Sequence, residues 1–217
     1  MGYIKLSNIT FTYNDDEKPI ISDLSFCVDR GQCVLILGDN GSGKSTLLRI
    51  LNGLSFPQSG EYLFDGEKIT ENCLKDNVKS KLFHKEIGFL FQNPDVMLFN
   101  AKVYDEVAFG PRQMGLSDDE VDRRTKDCMR MMGIEDLYDK APYHLSGGQK
   151  KKVALASVLA LNPSVLVLDE PFAGLDKKSE TFLMDLLFEL KESGKTLIIA
   201  THDEARLERL RDVSLRL

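Results

Sequence analysis

Residues 38–45 combine glycines, a lysine and hydroxyl side chains in an arrangement that suits the binding of phosphate groups. The segment reads GDNGSGKS, directly follows the apolar run Val34–Leu37 and precedes a predicted helix over Thr46–Leu54. Glycines let the backbone wrap phosphates with its N–H groups, and the helix N-terminus favours negative charge. We expect Lys44 to bind the terminal phosphates and the Ser45 hydroxyl to hold Mg²⁺. The residues expected to surround the phosphates are Asp39, Asn40, Gly41, Ser42, Gly43, Lys44, Ser45 and Thr46.

Two adjacent carboxylates, Asp169 and Glu170, follow the apolar run Val165–Leu168. One acid suits Mg²⁺, and the other suits polarisation of an attacking water, because phosphoryl transfer requires a positioned nucleophile more than covalent help. Taken alone, such a pair is also typical of solvated charge at the end of a strand. With the phosphate loop upstream, we predict that Asp169 is a metal ligand and that Glu170 assists the water.

Three short apolar runs end in polar residues, which is typical of a parallel sheet covered by helices. They are Val34–Leu37, Val165–Leu168 and Leu197–Ala200. The carboxyl edge of such a sheet usually gathers the chemistry. Two earlier segments, Tyr3–Thr12 and Leu24–Val28, alternate between apolar and polar residues and read as antiparallel strands. We therefore predict an α/β fold with a mostly parallel sheet and an antiparallel part beside it.

The middle of the chain reads as a helical insertion, because no strand signal is strong between Asn93 and Pro142. Ser117 and Glu120 predict a capping box at the start of a helix that ends at Gly133. A further helix is predicted over Lys178–Ser193, where leucines and phenylalanines recur on one face.

Composition excludes several classes of protein. A net charge of -6 and a pI near 5.2 argue against a nucleic-acid partner and against adhesion to anionic lipid. The four cysteines include no CxxC pair, and Cys27 and Cys33 lie in apolar stretches. We therefore expect the cysteines to be small buried residues of a protein in a reducing compartment. The most apolar stretch, Val153–Leu168, is interrupted by residues 162–164 and falls short of the roughly 20 residues of a membrane helix. We expect a cytosolic chain that reaches a membrane only through a partner.

A second motif, Leu145–Gln149, reads LSGGQ and opens a predicted helix over Lys150–Leu161, with Ser146 as its N-cap. LSGGQ between a phosphate loop and a strand that ends in Asp-Glu resembles the signature motif of ABC (ATP-binding cassette) ATPases. The resemblance covers nearly the whole chain. It implies a P-loop NTPase (RecA-like) core, an antiparallel β subdomain and an inserted helical subdomain. The implied single domain, 1–217, has its core in 1–92 and 158–217 and its helical subdomain, with the signature motif, in 93–157.

Other positions match the family one by one. Tyr13 resembles the aromatic residue that stacks on adenine, although its type also fits an aromatic packed on the core at a strand end. Gln92 resembles the Q-loop glutamine, which senses Mg²⁺ and the γ-phosphate. Asp176 resembles the D-loop aspartate. His202 resembles the switch histidine at the γ-phosphate, although a lone histidine is more often an ordinary surface residue.

The resemblance also implies how the groups work together. The family pairs two cassettes head to tail around two ATP molecules, so that the signature motif of one chain faces the phosphate loop of the other. The implied catalytic residues are Glu170, His202 and Gln92. The implied Mg²⁺ ligands are Ser45, Gln92 and Asp169. The implied nucleotide contacts of the signature motif are Ser146, Gly147, Gly148 and Gln149. One chain alone should therefore bind ATP but hydrolyse it poorly.

The segment after Gln92 indicates a subfamily. Residues 92–95, QNPD, and 103–111, VYDEVAFGP, resemble the energy-coupling-factor ATPases, which drive uptake of vitamins or of cobalt and nickel ions. The implied partners are a second ABC ATPase subunit, an integral membrane coupling subunit and a substrate-binding membrane subunit, at the cytoplasmic face of the membrane. By chemistry alone, the apolar side chains of this stretch could equally form an internal face of the subdomain. They are Val103, Tyr104, Val107 and Phe109.

The sequence departs from the family pattern after the signature motif, and other classes within the family are alternatives to a transporter. Residues 150–152, three lysines, replace the more usual Gln-Arg pairing after the signature motif. We expect them to be solvated, with a subfamily or accessory contact as the alternative. DNA-repair members of the family would need a long heptad insertion, and ribosome-associated members usually carry two cassettes. Neither feature is present in this sequence. A soluble iron–sulfur cluster assembly ATPase fits the length but matches the stretch 92–111 less well.

Overall fold

The structure, a computed structural model, describes residues 2–14 and 18–217. Its strands are β1 (Ile4–Phe11), β2 (Ile21–Val28), β3 (Cys33–Leu37), β4 (Ser59–Phe64), β5 (Glu67–Lys68), β6 (Ile87–Leu90), β7 (Val165–Asp169), β8 (Thr196–Thr201) and β9 (Val213–Arg216). Its helices are α1 (Lys44–Leu51), α2 (Glu71–Leu74), α3 (Asn77–Glu86), α4 (Val103–Gln113), α5 (Asp118–Met132), α6 (Gly147–Leu159), α7 (Lys177–Glu192) and α8 (Glu204–Leu207).

The central sheet is parallel throughout and has the strand order β6-β7-β8-β3-β9. Every residue of β3, β7 and β8 is buried, as expected for strands whose two faces are both covered. Leu37 lies beside Thr201, and Asp169 lies beside Ala200, so the polar residues after these strands share one edge. The three apolar runs therefore form the predicted parallel sheet, and the polar residues that follow them lie at its carboxyl edge.

The second sheet is antiparallel, with the order β2-β1-β4-β5, and confirms the interpretation of the alternating N-terminal segments. Successive residues of β3 enter two different cores, because side chains alternate across a strand. Cys33, Leu35 and Leu37 pack toward the helical side, whereas Val34 and Ile36 pack toward α1 and the antiparallel sheet.

Between residues 93 and 142 the described structure holds helices and turns and no strand, as predicted. Helix α5 begins after Ser117, whose Oγ accepts a hydrogen bond from the backbone N–H of Glu120, and ends at Gly133. The predicted reciprocal half of this capping box is wrong. The Glu120 carboxylate instead accepts hydrogen bonds from Arg123 and Arg124, because ionised partners one turn away bind it more strongly than a backbone N–H.

The cysteines divide by position. Cys33 and Cys128 are buried, and burial raises the pKa of these thiols to about 12 and about 11. The expectation of burial is wrong for Cys27, which is exposed. It lies on β2 opposite the exposed Lys5 of β1, on the face of the sheet that points away from the core. No helix in the described part of the chain is long and apolar enough to cross a membrane.

Candidate nucleotide site

The phosphate loop joins β3 to α1 and is shaped by glycines with positive φ. Gly43, the N-cap of α1, has φ of 101°, and a Cβ there would lie 3.2 Å from the carbonyl oxygen of Ile20. A larger residue would meet both strain and a close backbone contact. The first turn of α1 has no side-chain cap and no acidic residue, so its free N–H groups remain available to an anion.

Lys44 is held inside the loop. Its side chain is buried, and its ammonium donates hydrogen bonds to the carbonyl oxygens of Gly38 at 2.7 Å and Asp39 at 3.0 Å. The Ser42 hydroxyl in the same loop is buried without a hydrogen-bond partner. Buried polar atoms normally find partners, and a phosphate oxygen is a suitable acceptor for both groups.

The loop opens on a cleft of about 440 Å³ at the carboxyl edge of the parallel sheet. Its lining brings together predicted residues from four parts of the sequence. They are Asn40, Gly41, Gly43, Lys44, Ser45, Thr46, Gln92, Asp169, Glu170 and His202, with Ile20 and Ala173 between them.

Asp169 occupies the end of β7 beside Ser45. Burial raises the pKa of its carboxyl, and a hydrogen bond from the Ser45 side chain and the charge of Lys44 oppose that rise. A carboxylate, a hydroxyl and the Gln92 amide oxygen are the hard oxygen ligands that Mg²⁺ prefers. No cluster of three or more His, Cys, Asp or Glu residues fit for a metal occurs within residues 2–14 and 18–217.

Glu170, the next residue, has a positive φ of 43°, which is uncommon outside glycine and costs about 1–3 kcal/mol. Its backbone N–H still donates to the carbonyl of Ala200 at 3.0 Å, which holds this backbone against β8. Its Oε1 atom lies 2.9 Å from Nδ1 of His202. The strained turn therefore places a carboxylate in the cleft, with a histidine against it.

Tyr13 lies at the margin of the cleft. Its side chain is 55% exposed, its ring meets Phe11 edge-on, and its hydroxyl lies 3.2 Å from that of Thr46. It is not packed into the core, and it does not line the cleft. Stacking on adenine stays a prediction for this residue.

The signature motif lies elsewhere on the described surface. Ser146, Gly147, Gly148 and Gln149 line no part of this cleft. Ser146 Oγ accepts from the Gln149 backbone N–H at 3.4 Å, and Gln149 Oε1 accepts from the Ser146 backbone N–H at 3.0 Å. The two residues thus form a complete capping box, which the S-x-x-Q spacing signals. Ser146 is the predicted N-cap, and the reciprocal hydrogen bond to Gln149 goes beyond that prediction. The exposed helix N-terminus that results is suited to an anion from outside the chain.

The expectation that the lysines of residues 150–152 are solvated is wrong for Lys151, which is buried, and holds only in part for Lys150 and Lys152, which are half-buried. The Lys150 ammonium lies 2.7 Å from the carboxylate of Asp95, in the segment that follows Gln92. Lys151 is buried, and Lys152 lies 4.5 Å from the centre of the Phe182 ring. Their partners come from distant segments of the chain.

The apolar stretch after the Q-loop divides into inner and outer residues. Val103 and Val107 are fully buried, and the Tyr104 hydroxyl donates to Asp122 at 3.0 Å, so the internal alternative holds for these three. Phe109 remains 39% exposed and meets Phe99 edge-on. Asp176 is set apart from the cleft as the N-cap of α7.

Comparison with known proteins identifies the family. A sequence model of the ABC transporter family matches residues 21–173, which include the phosphate loop, the signature motif and the Asp-Glu pair. The chain belongs to the ABC transporter family. It is an ABC-type ATPase.

Two relatives indicate the type of ABC ATPase that it resembles. The nickel import ATP-binding protein LarO of Lactiplantibacillus plantarum is 48% identical over 94% of this chain and 84% of its own length. The energy-coupling factor transporter ATP-binding protein EcfA of Methanosphaera stadtmanae is 43% identical over 92% of this chain and 70% of its own length.

Two solved structures share the fold. CbiO1 of Clostridium perfringens, described as part of the ABC transporter complex cbiONQ, superposes with a TM-score of 0.85 at 39% identity, over 99% of this chain and 84% of that chain. The ATP-binding cassette MJ0796 is described as a dimer in a post-hydrolysis state with ADP and Pi. It superposes with a TM-score of 0.88 at 32% identity, over 99% of this chain and 94% of that chain.

Proposed function

We propose that this chain is the ATP-hydrolysing subunit of an importer of the energy-coupling-factor type, which works as a head-to-tail pair of cassettes around two ATP molecules. The observation that carries the proposal is the separation of the two nucleotide-binding elements. The cleft contains the phosphate loop, Asp169 and Glu170, whereas no residue of the signature motif lines that cleft. A second cassette would bring its own signature motif to this phosphate loop.

Within each completed site, the chain's own residues have separable tasks. Lys44, Ser42 and the N–H groups of α1 bind the phosphates, and Glu170 orients the attacking water. His202, against Glu170, fixes that carboxylate and meets the γ-phosphate. Mg²⁺, held by Ser45, Asp169 and Gln92, would neutralise phosphate charge.

An exposed apolar surface, made of Val96, Phe99 and Phe109, supports contact with a membrane-embedded coupling subunit. Val96 and Phe99 are 66% and 67% exposed, which is unusual for large apolar side chains in one short segment. The buried Glu106 accepts hydrogen bonds from the backbone N–H groups of Phe99 and Asn100, at 2.9 and 2.7 Å. The surface is thus held in shape before any partner arrives, which lowers the entropic cost of binding.

The comparisons support the same assignment. The relatives are named for nickel import and for an energy-coupling factor transporter, and one structural neighbour belongs to a transporter complex. A transition-metal ion or a vitamin is the proposed cargo, selected by the membrane subunits, and the chain would lie at the cytoplasmic face of the membrane through them.

The test is purification of the Glu170→Gln variant with its native partners. We expect ATP binding to persist and an ATP-dependent dimer to accumulate, because the variant keeps the shape of the site and loses the carboxylate. We also expect recovery with the membrane fraction. A variant that turns over ATP at the wild-type rate, or a protein recovered only with soluble partners, would contradict the proposal, and the latter outcome would favour iron–sulfur cluster assembly.

A further inference from the structure

Helix α6 carries lysines where its dipole disfavours them. Residues 150–152 follow the N-cap Ser146 closely, and the first turn contains no acidic residue. Positive charge near a helix N-terminus is unfavourable, most strongly in the first turn, and these lysines occupy the second turn, where the effect is weaker. A sequence that breaks such a local rule often does so at a functional position.

Lys151 is the most buried of the three lysines. It is 5% exposed, and its Nζ atom donates a hydrogen bond to the carbonyl oxygen of Ala173 at 2.7 Å. Burial lowers the pKa of its ammonium, and the negative charge of Glu170 opposes that change. A buried ammonium is costly, and an apolar side chain of similar length would fill this space at lower cost. Packing alone therefore does not account for a lysine here.

The contacted carbonyl belongs to the turn that carries Glu170. The backbone N–H of Ala173 donates to the carbonyl of Glu170 at 3.1 Å and closes this turn directly after β7. Glu170 already has an uncommon backbone conformation, with φ of 43°. A displacement of the Ala173 carbonyl would consequently change the direction of the Glu170 carboxylate.

The other end of the connection is the signature motif. Lys151 lies on the same helix, three residues beyond Gly148 and five beyond the N-cap Ser146. Gly148 also approaches the start of α7, since a Cβ placed there would lie 3.7 Å from Ser179 Oγ. One helix thus presents the signature motif at its N-terminus and holds, through Lys151, the turn that carries the carboxylate of the chain's own site.

We propose that Lys151 is a positioning residue that couples the signature motif to Glu170, so that engagement of the motif by the nucleotide of a second cassette sets the carboxylate in the first. The inference rests on the proposed pairing of two cassettes. It predicts that the two sites communicate through α6 and through the Glu170–Ala173 turn.

The test compares Lys151→Met with wild-type protein, with Lys151→Arg and with the neighbouring control Lys152→Met, each in the full chain. Measurements are kcat, KM and the Hill coefficient for ATP, the Kd of ATP, and the melting temperature. We expect Lys151→Met to lower kcat at least about tenfold, with KM and Kd within about twofold. Its Hill coefficient should fall toward one. Lys151→Arg, which keeps a donor, should recover most of the turnover, and Lys152→Met should behave as wild type.

Several outcomes would overturn the inference. They are an unchanged kcat in Lys151→Met, an equal loss in Lys152→Met, or a loss of turnover that merely follows a lower melting temperature and is not recovered by Lys151→Arg. The pairing of two cassettes is tested by a separate measurement, which is the formation of the ATP-dependent dimer of the Glu170→Gln variant. If that dimer does not form, the proposed function fails and this inference fails with it. If it forms and Lys151→Met hydrolyses ATP normally, only the inference fails.

Discussion

The Nδ1 atom of His202 lies 2.9 Å from the Oε1 atom of Glu170, although the two residues come from the ends of different strands. The histidine side chain is 68% exposed, whereas the Glu170 side chain is 11% exposed. The pair therefore joins a carboxylate inside the cleft to a group at its rim. A phosphate group that binds at the rim would contact His202. Through the histidine it would influence the position of the Glu170 carboxylate.

Replacement of His202 by alanine should lower kcat about a hundredfold, within the range for loss of a positioned acid–base or hydrogen-bonding group. KM should change little, because the phosphate loop is untouched. Steady-state ATP hydrolysis measures both. His144→Ala, at an exposed histidine outside the cleft, is the control and should retain wild-type turnover. Wild-type turnover in His202→Ala would show that His202 takes no part in ATP hydrolysis.

Much of the fold could be predicted from local pattern. The apolar runs that became β3, β7 and β8 carry their own signal, since strands buried on both faces read as continuous apolar sequence. The phosphate loop and signature motif were recognised because glycines at fixed spacing serve a backbone conformation that few other residues adopt.

What could not be predicted depends on contacts between distant segments. Lys150 and Asp95 are 55 residues apart, and nothing near Lys150 in the sequence indicates a partner. The burial of Val103 and Val107 could not be predicted either, because their residue types suit an internal face and a docking face equally well. Cys27 was misjudged because apolar neighbours do not reveal which face of the sheet a residue occupies.

Lys44→Ala should weaken ATP binding by about tenfold to a hundredfold, the value of one or two charge-assisted hydrogen bonds. Lys44 is already directed into the loop by the carbonyls of Gly38 and Asp39, so little ordering is required on binding. Titration with a fluorescent ATP analogue gives the Kd. Lys85→Ala, at an exposed lysine of α3, is the matched control. An unchanged affinity in Lys44→Ala would refute the phosphate-loop assignment.

Asp169→Asn should abolish Mg²⁺-dependent hydrolysis and, without nucleotide, raise the melting temperature at neutral pH. Burial raises the pKa of this carboxyl, so the folded state disfavours its ionised form. The destabilisation is complete above the raised folded pKa and disappears as the pH falls through the unfolded value. The gain from Asn should therefore shrink toward acid pH.

Differential scanning calorimetry across that pH range checks this prediction. Asp176→Asn is the control, because hydrogen bonds from the α7 backbone lower the pKa of Asp176 and asparagine is an equally good N-cap. It should not raise the melting temperature. A lower melting temperature for Asp169→Asn at neutral pH would show that Ser45 and Lys44 outweigh burial at Asp169.

The double variant Phe99→Ala/Phe109→Ala should reduce recovery of a membrane subunit at least about tenfold, as expected for loss of a paired aromatic anchor. ATP binding should persist, because neither residue lines the cleft. Affinity purification from detergent-solubilised membranes measures recovery. Val78→Ala/Leu82→Ala removes two exposed apolar side chains of α3 and is the matched control. Equal recovery from both double variants would exclude the Val96, Phe99 and Phe109 surface as the docking site.

Mixing two inactive variants tests most directly the claim that each site is built from two copies of the chain. Lys44→Ala removes the phosphate-binding lysine, and Gly148→Asp puts a negative charge on the signature motif at a position where a helix N-terminus tolerates it. At an ATP concentration near the wild-type Kd, each variant alone should have little turnover, because Lys44→Ala leaves its phosphate loops mostly empty and Gly148→Asp repels the nucleotide phosphates. In their mixture, random pairing gives one intact site in about half of the dimers, so turnover should return to at most about a quarter of the wild-type rate. A mixture no more active than its two components would contradict the shared site.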